Sequence, residues 1–181
     1  MDAEAKYCQI LKEQGYHRGV ITHSGLVIDL EEPCLACSPD DLVELPGYSQ
    51  PFGLVEYKCP YSLAHGDSSS PQTAEAAAIA KKKGFFCVVN ESGQVRLKRN
   101  HDYFYQVQGN LAITKRQWCD FVVWTPRGTS VERIYADKDF WETAKQKLIE
   151  FYRSAVLPEL ALPRIPNGQS IREPFQPSSH S

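Results

Sequence analysis

The stretch Gly53-Leu54-Val55-Glu56-Tyr57-Lys58-Cys59 constrains this chain more than any other. Its apolar and aromatic content predicts a short strand, which Pro60 ends. On a strand, residues i and i+2 share a face, so Glu56 and Lys58 project together and Tyr57 turns away. A charged pair on an otherwise apolar strand is costly if it is buried without a function. If Asp40, in the turn Ser38-Pro39-Asp40-Asp41, ends a neighbouring strand, its carboxylate meets Glu56. Two carboxylates at short range repel unless a cation lies between them. Mg2+ suits hard oxygen ligands with retained waters, and the Tyr57 carbonyl offers a further oxygen. Lys58 is then placed to orient or deprotonate a water, or to balance charge on a pentavalent phosphorane. The set suits phosphodiester hydrolysis without a covalent nucleophile. From the spacing alone, ion-paired surface side chains stand beside this reading, because Glu-x-Lys arises readily by chance at ordinary residue frequencies.

Helical and strand patterns alternate along the rest of the chain. Ala3, Tyr7, Ile10, Leu11 and Gln14 recur at helical steps, predicting a helix over residues 2–14 that Gly15 stops. Residues 19–30 read as a strand or a hairpin, and residues 34–45 as two short strand pieces around the Ser38–Asp41 turn. After a loop over residues 61–70, Ser70-Pro71 predicts a helix start; the helix runs to Gly84 with Lys81, Lys82 and Lys83 in its last turn. Residues 85–89 and 94–98 flank Asn90-Glu91-Ser92-Gly93 as a hairpin. A helix is expected over 101–114, where Gly109 costs about 1 kcal/mol. Residues 117–124 and 129–135 read as strands and 137–155 as an amphipathic helix. The order predicts an α/β fold with a mixed central sheet flanked by helices, over residues 1–157. Residues 158–181, rich in Pro and Ser, are expected to form an extended or mostly disordered tail. No dinucleotide or P-loop glycine motif is present in the sequence.

Composition bounds the partners. The chain has 181 residues with 42% hydrophobic and 23% charged, which suits one globular domain. The net charge of −2 excludes a uniformly basic nucleic-acid coat. Charge is nevertheless segregated: residues 1–60 hold four Lys/Arg against ten Asp/Glu, and residues 81–116 hold eight Lys/Arg against two acids. Acids that gather a metal beside cations that gather a polyanion give this pattern, and so does ordinary surface variation. Lys81, Lys82, Lys83, Arg96, Lys98 and Arg99 are candidate phosphate contacts or solvated charges. His101 reads as a helix-start residue before a phosphate contact, and Trp118 and Trp124 as core before stacking platforms. Cys34-Leu-Ala-Cys37 has metal or redox spacing but lacks two further ligands in sequence, so reduced thiols are expected. No apolar run reaches membrane-spanning length and MDAEAKYCQI does not read as a secretory signal, so an intracellular location is expected.

Four blocks carry a resemblance. They are Cys37-Ser38-Pro39-Asp40, Leu54-Val55-Glu56-Tyr57-Lys58-Cys59-Pro60, Tyr105-Gln106-Val107-Gln108-Gly109, and Trp118-Cys119-Asp120-Phe121-Val122-Val123-Trp124. In this order the chain resembles the YqaJ viral-recombinase family, the phage lambda exonuclease-like members of the PD-(D/E)XK nuclease superfamily, over roughly residues 3–160. The resemblance implies a restriction-endonuclease-like fold. It also implies a Mg2+-dependent DNA exonuclease, with Mn2+ able to substitute, acting 5′→3′ at double-stranded DNA ends in recombination or repair. It assigns Asp40, Glu56 and the Tyr57 carbonyl to metal and Lys58 to water activation. It matches Gln106 to an active-site glutamine, and Ser38 to a contact with the terminal phosphate. A ring-shaped homotrimer and a single-strand annealing protein are the implied partners. Asp41 stands where the family has glycine, and the family's helix-borne glutamate falls upstream of Met1. The alternative expectation is therefore a catalytically weakened DNA-end binding subunit that keeps the nuclease fold.

Overall fold

In the computed structural model, which describes residues 2–65, 71–168 and 170, strand β5 (Phe52–Lys58) is the centre of a five-stranded mixed sheet. The remaining strands are β1 (Val20–His23), β4 (Asp41–Glu44), β8 (Trp118–Thr125) and β9 (Gly128–Tyr135), in the order β1-β4-β5-β8-β9. All neighbours run antiparallel except β5 and β8, which are parallel. A parallel pair needs a long crossover. Here it consists of helices α2 (Tyr61–Ala64) and α3 (Ala74–Ile79), the hairpin β6 (Cys87–Val89) and β7 (Val95–Leu97), and helix α4 (Asp102–Thr114). Gly53 pairs with Trp118, and a Cβ at Gly53 would lie 2.3 Å from the Trp118 ring, so only glycine permits this contact.

The two sheet faces follow the alternation of β5. Val55 joins Tyr7 and Leu11 of helix α1 (Ala3–Glu13), together with Val43, Leu45, Trp118 and Val122, in one core. Leu54 joins Leu63, Phe85, Phe104, Val107, Phe121 and their neighbours in the core on the opposite face, under α3, α4 and the β6–β7 hairpin. Helix α1 is tied to its face by a buried network. The Tyr7 hydroxyl donates to Asp120 at 2.6 Å, and Arg133 donates two 2.8 Å hydrogen bonds to the same carboxylate. Helix α5 (Lys138–Phe151) packs on α4 through Phe140 and Trp141.

Four local expectations change. The loop expected over residues 61–70 opens with the single helical turn α2, which Leu63 anchors in the core. Residues 19–30 do not pair as a hairpin: β1 pairs with β4, whereas β2 (Val27–Ile28) pairs with β3 (Ala36–Cys37) in a separate two-stranded sheet. The Asp29 side chain turns the chain there by accepting from the Glu31 and Glu32 amides. Helix α3 begins after Thr73, whose hydroxyl accepts from the Ala76 amide. Ser70, the expected cap, lies outside the described residues. Lys81–Lys83 fall beyond the helix end, because Lys81 adopts a left-handed conformation that closes it. The fourth change is at the far end: α5 continues through a π-helical segment (Tyr152–Val156) into α6 (Leu157–Ala161). Pro158 lacks the N–H that would serve the carbonyl one turn back, and the helix widens just before it. The stretch expected to be extended from residue 158 is therefore helical through Ala161; residues 171–181 lie outside the described residues. Among the described residues no helix is long and apolar enough to cross a membrane.

Candidate active site

Strand β4 pairs with β5 as far as Asp41 opposite Val55, and β5 runs on unpaired along that edge. Asp40, the residue before β4, fills the gap: its Oδ2 accepts the Tyr57 amide at 2.7 Å. In an extended strand the N–H and C=O of one residue leave on the same edge. The Tyr57 carbonyl therefore emerges beside Asp40, where no strand among the described residues takes it. The Tyr57 ring lies on the α1 face, edge-on to Tyr7 with centroids 6.1 Å apart.

Glu56 and Lys58 lie on the other face, as the period of two requires, with Lys58 Nζ 2.8 Å from Glu56 Oε2. The Lys58 ammonium also sits 4.7 Å from the centre of the Tyr103 ring, at the start of α4. Glu56 is only 1% exposed, and helix α4 supplies its other partners. Gln106 Nε2 donates to Oε2 at 3.2 Å, and Asn110 Nδ2 donates to Oε1 at 2.7 Å. Burial raises the Glu56 carboxyl above the usual range; Lys58 opposes that and the charge of Asp40 adds to it. Ser38 is exposed in the turn before β4 and, with Gln106, Asn110, Ile113, Trp141 and Leu148, lines a cavity of about 480 Å³.

Asp40, Tyr57, Glu56, Lys58 and Gln106 are thus brought together, with Ser38 at the rim. Lys98 and Arg99 are engaged elsewhere. Lys98 Nζ donates to the Phe85 carbonyl at 2.6 Å, and Arg99 donates to Glu132 Oε1 at 2.7 Å. His101 caps α4 by accepting from the Tyr103 amide. Asn110 was not among the expected residues, although it lies one helical turn after Gln106, and that spacing marks it. Asp41, in place of glycine, has ordinary extended backbone; its carboxylate lies 3.1 Å from His23 Nδ1. All six cysteines are free. Burial pushes the Cys37 thiol up to about 11, which suits an inert packed group rather than a zinc or redox thiolate.

Two carboxylates and a free carbonyl at one corner fit a hard divalent cation that keeps several waters. Among the described residues no group of three or more His, Cys, Asp or Glu converges.

The fold has counterparts among solved structures. The chain is similar to an alkaline exonuclease (LHK-Exo) from Laribacter hongkongensis, with a TM-score of 0.55 and 24% identity, over 83% of this chain and 61% of that one. It is also similar to LHK-Exo in complex with dAMP, with a TM-score of 0.51 and 26% identity, over 80% of this chain and 57% of that one. The chain therefore spans about three-fifths of the length of these structures. No curated protein matches. The model of the YqaJ-like viral recombinase domain matches residues 4–117, which include Asp40, Glu56, Lys58, Gln106 and Asn110, and the chain belongs to that family.

Proposed function

We propose that this protein is a Mg2+-dependent DNA exonuclease, with Mn2+ able to substitute. It hydrolyses phosphodiester bonds at the ends of duplex DNA, 5′→3′, in recombination or repair inside the cell. The single observation that carries the proposal is the seat of Asp40 on the Tyr57 amide, beside Glu56 and at the point where β4 ends.

Asp40, Glu56 and the Tyr57 carbonyl would hold the cation, which when bound would supply Lewis-acid activation of water and of the scissile phosphate. The side chains do the rest. Lys58, fixed by Glu56 and the Tyr103 ring, directs a donor at the attacking water and offsets charge on the phosphorane. Gln106 and Asn110 hold the Glu56 carboxylate in one orientation. Ser38 receives the terminal phosphate at the cavity rim. A ring-shaped homotrimer and a single-strand annealing protein complete the proposal as partners.

The test is incubation with end-labelled linear duplex, with and without Mg2+, each end blocked in turn. The expected result is metal-dependent release of nucleotides from the unblocked 5′ end, reduced at least about a hundredfold in Glu56→Ala and Lys58→Ala. Robust release by both variants would falsify the assignment. Retention of DNA ends without cleavage in Mg2+ or Mn2+ would support the DNA-end binding subunit instead.

A further inference from the structure

Immediately beyond the catalytic strand, the chain forms a surface whose shape the hydrolytic site does not use. Pro60 ends β5, and the single turn α2 follows. Leu63 is only 1% exposed and fixes the turn in the core under α3 and α4. The Tyr61 and His65 rings lie on the outside of the same turn. They stack with centroids 4.1 Å apart and planes within 16° of parallel. The His65 amide donates to the Tyr61 carbonyl at 3.1 Å, and its Nδ1 lies 3.3 Å from the same oxygen, so backbone contacts keep the ring in place. Tyr61 remains 75% exposed. One face of its ring is covered by His65, and most of the remaining surface is accessible to solvent.

A lysine is tied to the same turn. Lys82 Nζ donates to Ser62 Oγ at 3.1 Å, tying α2 to the turn after α3, and Lys81 and Lys83 are exposed on either side of Lys82. Tyr61 is three residues past Lys58, so the two Cα atoms are at most about 11 Å apart. That is roughly three nucleotides at about 3.4 Å of rise per strand. A fixed aromatic face on a turn tied to a lysine run has the chemistry of a single-strand track, in which a base stacks on the ring and cations take the phosphates.

We propose that Tyr61, backed by His65 on a turn that Lys82 ties to the lysine run after α3, is a stacking platform for an unpaired nucleobase of the DNA strand within about three nucleotides of the scissile phosphate. This deepens the exonuclease reading above and rests on it. The ring takes any base, so the platform contributes affinity and register rather than sequence preference.

The experiment uses the full chain in EDTA, so that binding is separated from cleavage. The probes are a fluorescein-labelled duplex with a short single-stranded overhang and the same duplex with abasic sites in the overhang. The expected result is that Tyr61→Ala weakens the overhang duplex about tenfold and Tyr61→Phe leaves it unchanged. The abasic probe loses the same factor with the native protein and nothing further with Tyr61→Ala. Emission of Tyr61→Trp, read against the native chain, is quenched as the overhang binds. The melting temperature of Tyr61→Ala stays at the native value, because the ring is mostly solvated. Equal affinity of Tyr61→Ala and the native chain for the overhang duplex, or an unquenched Tyr61→Trp in the bound state, overturns the platform alone when the native chain still cleaves in Mg2+. A native chain that neither retains nor cleaves DNA overturns the platform and the exonuclease reading together.

Discussion

Glu56 carries a burial cost that Lys58 offsets only in part. Its carboxyl is raised because burial outweighs the help of Lys58, and the Asp40 charge adds to the shift. A carboxyl raised in the folded state binds protons more tightly there than in the unfolded chain. Its contribution to stability is therefore fully present below the ordinary carboxylate value and is lost as pH rises towards the raised one. A bound divalent cation acts in the opposite direction, because it needs the ionised form. The increase in melting temperature caused by Mg2+ should accordingly be small at about pH 4 and grow towards about pH 7. A Mg2+ effect independent of pH across that range would remove Glu56 from the ligand set. Asn110 belongs to the same balance. Asn110→Ala leaves Glu56 Oε1 as a buried acceptor without its donor, a loss of about 1–3 kcal/mol. Cation binding by this variant, followed calorimetrically, should weaken and its half-loss should move to higher pH. The pairing of Glu56 with Lys58 was legible in the sequence because strand period alone dictates it. The approach of α4 was not, since which helix face meets a strand depends on packing across the crossover. Gln106 was reached through family resemblance, and Asn110 was missed.

At the scale of elements, two helices end on residues that are unusual for the job. Both α3 and α4 close with paired capping hydrogen bonds. Lys82 and Lys81 donate to Ala77 and Ala78, and Arg116 and Lys115 donate to Leu111 and Ala112. In each case the left-handed position belongs to lysine, Lys81 at φ 48° and Lys115 at φ 56°, where glycine is the common choice. An L side chain there costs about 1 kcal/mol or more. Lys115→Gly should therefore raise stability by about 1 kcal/mol in urea unfolding; its 3.9 Å ion pair with Glu31 is solvated on both sides and worth little. The helix ends were hard to read for this reason. Gly84 marked an end in the sequence, but α3 stops at Ile79, short of it, and the alanines that favour helix continue to Ala80. Where the chemistry of one residue decides, as at Asp2 and Asp137, which accept from the amides of Ala5 and Phe140, the starts of α1 and α5 fell within a residue of expectation.

Across the whole molecule, segregated charge overstates the free cations. Within the basic stretch, Arg96 and Arg99 close on Glu132, which is only 3% exposed, and Arg116 donates to the carbonyls of Val43 and Gly53. Those arginines hold the fold, whereas Lys83 stands in solvent. Arg99→Ala should lower the melting temperature, by about 1–2 kcal/mol of stability, and leave the salt dependence of DNA binding unchanged. Lys83→Ala should do the reverse, reducing the slope of log K against log salt by about 0.9. The reverse assignment of these two effects would relocate the DNA path to the β6–β7 side. The parallel union of β5 and β8 has a kinetic consequence. Gly53 meets Trp118 only after the entire crossover has been gathered, so the contact order is high and loop-closure entropy opposes the first productive encounter. Because α4 lies inside that crossover, Gln106 and Asn110 reach Glu56 across 50 and 54 residues of chain. A nascent chain that has not yet extended past Asn110 therefore lacks the two amide donors that orient the Glu56 carboxylate.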